Sequence, residues 1–133
     1  MQEPTWLTRE AVDDMHSELI LEHGGAAGVR LGGDDLIESA LARPWHRYRY
    51  EDAGLTELAT AYLFGLAKNH GYLDGNKRIA FAAAVSFLDM NGIALTATEA
   101  DAHACVIGLV EGRLTEKDVA QWIEVYSEPT DPA

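Results

Sequence analysis

The chain has little cysteine and little positive charge, and each shortage excludes a class of protein. It contains 133 residues with a single cysteine, Cys105. One cysteine excludes an intramolecular disulfide and any cysteine-rich zinc site, so we expect Cys105 to pack as a small apolar residue. Lys and Arg number 10 against 22 Asp and Glu, which gives a net charge of −12. This balance argues against sequence-independent binding to DNA, RNA or an anionic membrane.

Long hydrophobic runs and an export signal are also absent. The most continuous apolar segment, residues 79–88, has ten residues, whereas a membrane-spanning helix needs about 20. The first residues, Met-Gln-Glu-Pro, contain neither the basic nor the apolar region of an export signal. We therefore expect a cytoplasmic protein with no membrane partner.

The few basic residues are unevenly placed. Six of the ten are Arg43, Arg47, Arg49, Lys68, Lys77 and Arg78. Two of them end a glycine-punctuated stretch at 69–78, Asn-His-Gly-Tyr-Leu-Asp-Gly-Asn-Lys-Arg, which runs directly into the apolar segment. No proline or glycine occurs between Asn76 and Asn91, so this segment predicts a helix buried on nearly all sides.

The start of such a helix favours anions, because its first backbone N–H groups lack acceptors and the helix dipole is positive there. Gly75 would let a phosphate approach the backbone, and the amide of Asn76 could donate to it. Lys77 and Arg78 add two positive charges. These four residues are the predicted phosphate site.

Two further residues of the stretch suggest chemistry. His70 can exchange a proton near neutral pH, and Asp74 offers the carboxylate that Mg²⁺ accepts beside substrate phosphates. By residue type alone, the stretch could instead be a plain turn, with His70 capping one helix and Asp74 the next. It is not a Walker A loop, since Gly71 and Gly75 are one residue too close together and Arg78 replaces Ser or Thr.

Apolar periodicity and capping residues predict five other helices, with glycine-rich residues 24–33 as a loop. Their expected bounds are 7–23, 34–42, 57–69, 98–111 and 115–126. Pro44 should end the second of these. The helices at 98–111 and 115–126 are expected to be scaffold, His103 included. We expect one domain over residues 1–126 and a loose tail over 127–133.

Residues 45–50, Trp-His-Arg-Tyr-Arg-Tyr, interleave aromatics with cations. Their alternation predicts an extended strand or a small hairpin. The same composition also fits a rim segment with its aromatics on the core and its arginines in water. RNA binding is a third option, which the net charge disfavours.

The nine residues from His70 to Arg78 resemble the His-x-Phe-x-Asp-x-Asn-Lys-Arg signature of the Doc (death-on-curing) branch of the Fic superfamily. The likeness covers roughly residues 7–125 and includes the run Glu-Ser-Ala-Leu-Ala-Arg-Pro at 38–44. It implies an all-α, compact Fic/Doc-type bundle of about six helices around a buried central helix, with a short extended flap. The flap would be residues 45–50, and Arg47, Tyr48 and Arg49 would dock the target.

The resemblance also implies an activity. His70 would be the catalytic base, Asp74 the Mg²⁺ ligand, and Gly75, Asn76, Lys77 and Arg78 the phosphate site for ATP. Doc-like proteins are kinases that move the γ-phosphate to a threonine of translation elongation factor Tu and so arrest translation.

The AMP-transferring relatives carry His-Pro-Phe-x-x-Gly-Asn-Gly-Arg-x-x-Arg instead. Here Gly71, Lys77 and Phe81 replace the proline, the second glycine and the last arginine, which favours kinase chemistry. Nucleotidyl transfer and a catalytically weak binding module stay open, because Gly71, Tyr72 and Leu31 depart from the family pattern.

Inhibition is expected to come from a partner. Many Fic proteins inhibit themselves through Ser/Thr-x-x-x-Glu, and no glutamate of this sequence has Ser or Thr four residues before it. The resemblance implies a Phd-type antitoxin that folds onto this protein.

Overall fold

The computed structural model describes residues 2–130, which form six helices and two short strands. The helices are α1 (Arg9–His23), α2 (Gly33–Glu51), α3 (Leu55–Asn69), α4 (Asn76–Met90), α5 (Glu99–Val110) and α6 (Glu116–Val125). The strands are β1 (Ile93–Leu95) and β2 (Ser127–Pro129). The predicted all-α bundle is confirmed.

Helix α4 lies at the centre of this bundle together with α3. Its buried residues are Asn76, Ile79, Ala80, Ala83, Ala84, Phe87 and Leu88. Helix α3 packs along it and is itself buried over most of its length. Alanines allow the two helices to approach closely, and removing this much apolar surface from water is the main stabilisation of the fold. The prediction of a buried central helix is confirmed.

Threonine caps fix the start of three other helices. The hydroxyls of Thr8, Thr98 and Thr115 each accept a hydrogen bond from a backbone N–H in the first turn of α1, α5 and α6. These helices begin and end within two residues of the predicted bounds. The sequence signal was local in each case, which is why it could be recognised.

Helix α2 corrects two predictions. It does not end at Pro44 but continues to Glu51, so the predicted extended flap at 45–50 is helical. It begins at Gly33, one residue before the predicted start.

A proline inside a helix lowers the stability of the helix by about 3 kcal/mol. Packing of the side chains before and after Pro44 offsets that loss. Pro44 itself is buried. The Tyr48 ring packs edge-on against Trp6 at 5.6 Å, and the Arg43 guanidinium lies 4.7 Å from the centre of the Phe64 ring.

The C-terminal segment corrects another prediction. Residues 127–129 were expected to belong to a loose tail, but they form β2, which pairs antiparallel with β1 in the register Ile93 to Pro129 and Leu95 to Ser127. The pairing holds because backbone groups of the chain after α4 would otherwise lack partners. Residues 131–133 of the predicted tail lie outside the described part of the chain.

Within residues 2–130, no helix combines the length and the apolar character needed to cross a bilayer.

Candidate active site

A cleft of about 610 Å³ opens at the N-terminus of α4. The predicted site residues that line it are His70, Asp74, Gly75, Asn76, Lys77 and Arg78. The other residues that line it are Leu19, His23, Phe81, Ala82, Glu99, Ala102, His103 and Val106. Six of the ten residues of the stretch singled out in the sequence therefore line one cavity.

The start of α4 has the features of an anion site. Gly75 precedes it in the left-handed conformation, with φ of 76°, and no side chain of the described residues caps the helix there. The first backbone hydrogen bond closes from Ile79 N–H to the Gly75 carbonyl. The N–H groups before Ile79 are those a helix leaves without internal partners. Lys77 and Arg78 are exposed beside them, so positive charge adds to the dipole.

The side chain of Asn76 has a different task from the predicted one. It is 3% exposed, and its carboxamide accepts from the Tyr72 N–H at 3.0 Å and donates to the Tyr72 carbonyl at 3.0 Å. These two bonds satisfy buried backbone groups that have no strand partner. Asn76 therefore shapes the loop, and the expected donation from its amide to a phosphate stays a prediction.

His70 terminates α3 in a strained conformation. Its φ and ψ of 55° and 50° are left-handed, which non-glycine residues adopt uncommonly. The imidazole is exposed at the cleft. Histidine tolerates this conformation better than most residues, and such strain is found most often at functional sites.

Asp74 presents a carboxylate to the same cavity. One oxygen, Oδ2, accepts the Ala26 N–H at 2.7 Å, which fixes the group beside the glycine loop after α1. Its other oxygen, Oδ1, is in no hydrogen bond with the described residues and is a hard donor of the kind Mg²⁺ accepts. Within residues 2–130, no group of three or more His, Cys, Asp or Glu is placed to bind a metal. A magnesium ion here would therefore need phosphate oxygens and water as its other ligands, which is its usual habit with nucleotides.

The loop between His70 and α4 pairs with residues 28–30, not with residues 45–50. Val29 and Tyr72 form an antiparallel bridge. Arg30 N–H donates to the Gly71 carbonyl at 3.1 Å, and Leu73 N–H donates to the Gly28 carbonyl at 3.0 Å. The extended segment beside the candidate site thus comes from the glycine-rich loop.

Close backbone packing accounts for Gly71, which departs from the proline of AMP-transferring relatives. A Cβ atom on Gly71 would lie 2.5 Å from Cγ1 of Ile37 and 2.9 Å from the Gly33 carbonyl oxygen. A Cβ on Gly33 would lie 2.1 Å from the Gly71 oxygen. The start of α2 therefore presses directly on the loop, and only glycine fits at either position.

The predicted flap residues lie elsewhere. Arg47 is within 3.6 Å of carboxylate oxygens of Glu51, Glu57 and Glu116. Tyr48 packs on Trp6, and the Arg49 guanidinium is 5.7 Å from the centre of the Trp45 ring. None of the three lines the cleft. A docking role for them stays a prediction, without the extended backbone on which it was based.

Two sets of residues at the site were missed by sequence analysis. Helix α5 was expected to be scaffold, yet Glu99 and His103, one turn apart, line the cleft, as does His23 from the end of α1. His16 is buried below the loop, with Nε2 2.7 Å from the Asp74 carbonyl oxygen. Their spacing is that of ordinary amphipathic helices, so no local signal distinguishes them.

The chain is similar to known proteins over much of its length. The family model described as the Fic/DOC family matches residues 6–88. A protein named Toxin Doc from Mycolicibacterium smegmatis (strain ATCC 700084 / mc(2)155) is 46% identical over 76 residues, which cover 56% of this chain and 57% of that protein. A protein named Protein kinase doc from Escherichia phage P1 is 32% identical over 88 residues, which cover 65% of this chain and 68% of that protein.

Proposed function

Because the chain belongs to the Fic/DOC family, we propose that it is a Doc-like toxin that transfers the γ-phosphate of ATP to a Ser or Thr hydroxyl of a protein. The observation that carries the proposal is the single cleft that holds an exposed imidazole, a carboxylate and an uncapped, cation-flanked helix start. The relatives named Toxin Doc and Protein kinase doc support the same assignment.

Phosphoryl transfer suits these groups because catalysis is mostly positioning and charge neutralisation. The N–H groups at the start of α4, with Lys77 and Arg78, would hold phosphate oxygens. His70 would accept the proton of the incoming hydroxyl, and its exposure at the cleft leaves room for a protein substrate. Asp74 would hold Mg²⁺ together with the phosphates, and the bound ion would supply neutralising charge.

Lys77 and Phe81 are the basis for proposing kinase rather than AMP transfer. Both line the cleft, at positions where AMP-transferring relatives have glycine and arginine. A lysine side chain occupies the space that a second glycine would leave to phosphate, and Phe81 cannot grip an anion. The nucleotide should therefore bind with its γ-phosphate, not its α-phosphate, toward His70.

The acceptor we propose is a threonine of translation elongation factor Tu, whose modification would arrest translation in the cytoplasm. The inhibitor we propose is a Phd-type antitoxin, bound through a segment that folds on contact. Both follow from the family and from the word toxin in the name of one relative. DNA and RNA are not proposed as direct partners, since the net charge is −12.

The test uses purified elongation factor Tu with Mg²⁺ and ATP labelled at either the α or the γ phosphate. Label transferred from the γ position alone supports the proposal. Transfer from the α position would instead assign nucleotidyl transfer, and no transfer from either would leave a binding module.

Two variants link transfer to the site. His70→Ala should lower the rate by about 10²–10⁴-fold, the contribution of a general base. Lys77→Ala should lower kcat/KM for ATP, and an unchanged value would remove Lys77 from the phosphate site. The matched control is Lys117→Ala, since Lys117 is an exposed lysine of α6 that does not line the cleft.

A further inference from the structure

The loop that carries Asp74 and Gly75 rests on one face of α1. Asp13, His16 and Ile20 fall three and four residues apart there, so their side chains share that face. Each contacts the loop: Asp13 at the Tyr72 hydroxyl, His16 at the Asp74 carbonyl, and Ile20 within 3.3 Å of a Cβ placed on Gly75.

Tyr72 makes two contacts between the loop and this face of α1. Its ring is 2% exposed and stacks on the His16 ring, with centroids 3.8 Å apart and an interplanar angle of 13°. Its hydroxyl donates to Oδ1 of Asp13 at 2.5 Å. Its backbone N–H and carbonyl are both bonded by Asn76. The residue is thus held at its ring, its hydroxyl and its main chain.

The hydroxyl contact continues to the start of α2. Arg9 donates from Nε to both oxygens of Asp13, at 3.0 and 3.1 Å. Its other nitrogens donate to Asp34 at 2.8 Å and to Glu38 at 3.1 Å. A charge-assisted chain therefore joins the loop, α1 and α2.

We propose that the Tyr72 hydroxyl and Asp13 are positioning residues that hold Asp74 and the start of α4 in the geometry needed to bind nucleotide phosphates. The signature that this stretch resembles has phenylalanine at the position of Tyr72, and phenylalanine lacks the hydroxyl that reaches Asp13. The inference rests on the proposed function, because it assigns the anchor a role in binding that ligand.

The positional effect is measurable without catalysis. Tyr72→Phe keeps the ring and removes only the hydroxyl, so we expect the variant to fold. Hydrogen exchange of the Tyr72 and Leu73 amides, both bonded in the loop, should speed up by about tenfold, the loss expected for one hydrogen bond to a charged group. The exchange rates of amides in the α3 core should change less. A purely global loss of stability would instead raise the exchange rates of the loop and the α3 amides together.

A second variant and a control address folding and charge. Asp13→Ala removes the acceptor and should give the same local exchange pattern. Asp14→Ala removes an equal charge from the neighbouring, exposed position and should leave the loop amides at wild-type rates. The loop amides of the double variant Asp13→Ala/Tyr72→Phe should exchange no faster than those of the more severe single variant, because the two substitutions remove the same contact.

The functional arm measures binding of a magnesium complex of a non-hydrolysable ATP analogue. Both single variants should bind it several-fold more weakly, because a smaller fraction of molecules holds the competent loop. Unchanged loop exchange, or faster exchange with unchanged affinity, would overturn the inference. Wild-type protein that binds no nucleotide would instead overturn the proposed function, and the exchange data would still report whether Tyr72 anchors the loop.

Discussion

Helix α4 carries an asparagine at each end. The two side chains allow buried hydrogen bonds to be compared with exposed ones in the same protein. Asn76 bonds the N–H and the carbonyl of Tyr72 with its carboxamide. Asn91 makes the same two bonds to Thr5, at 2.8 and 3.0 Å, and a further one to the Phe87 carbonyl. The first pair is buried, whereas Thr5 is exposed. Water can therefore replace Asn91 at Thr5 but cannot easily replace Asn76.

We predict that Asn76→Ala destabilises the protein by about 2–6 kcal/mol, since each of two buried backbone groups left unpaired costs about 1–3 kcal/mol. Asn91→Ala should cost about 0.5–1.5 kcal/mol, the net value of its one part-buried bond to Phe87, because water replaces the two exposed bonds to Thr5. A domain is stable by only about 5–15 kcal/mol, so the first variant should have a clearly lower midpoint in urea. Unfolding can be followed by circular dichroism at 222 nm, a band of the helical backbone. Equal losses for the two variants would refute the argument that burial makes the Asn76 bonds indispensable.

Three further predictions concern other sites. Gly71→Ala should lower the free energy of unfolding, measured in urea, by about 1–3 kcal/mol, because its Cβ would lie 2.5 Å from Ile37. The control Gly54→Ala, whose Cβ would have its nearest contact at 3.8 Å, should lower it by at most about 1 kcal/mol. Burial raises the pKa of Cys105 to about 11. A thiol reagent at pH 8 should therefore label the native protein about a hundredfold more slowly than the urea-unfolded protein, and equal labelling rates would contradict a buried thiol. In the folded state the pKa of Tyr72 lies above its ordinary 10.0, so the unfolded chain loses that proton first and the free energy of unfolding should fall as pH rises past about 10. The free energy of unfolding of Tyr72→Phe should fall less steeply over the same pH range, and an identical slope would exclude Tyr72 as a cause.

The sequence was most informative where the determinants are local. The buried α4 could be predicted because its apolar run has no competing signal, and the stretch from His70 to Arg78 could be predicted as one site because its members are consecutive. Capping threonines located the starts of α1, α5 and α6 for the same reason. In each case the interaction joins residues a few positions apart.

The predictions failed where distant contacts decide. Arginines and tyrosines alternate over residues 47–50 as in a strand, but Trp45 and Tyr48 are three residues apart as in a helix. The packing of Tyr48 on Trp6 and the ion pairs of Arg47 with three carboxylates select the helix despite Pro44. The role of Asn76 depends on a loop conformation that residue type does not reveal. His16 meets Asp74 across 58 positions and Asp13 meets Tyr72 across 59, so neither pairing has a local pattern.

The central event of the proposed reaction is the binding of a triphosphate at the start of α4 beside His70. The most direct measurement is a crystal structure of the protein with Mg²⁺ and the β,γ-imido analogue of ATP. We predict phosphate oxygens within about 3 Å of the backbone N–H groups of Lys77 or Arg78, with the γ-phosphate nearest His70. An analogue bound elsewhere, or with its α-phosphate facing His70, would contradict it.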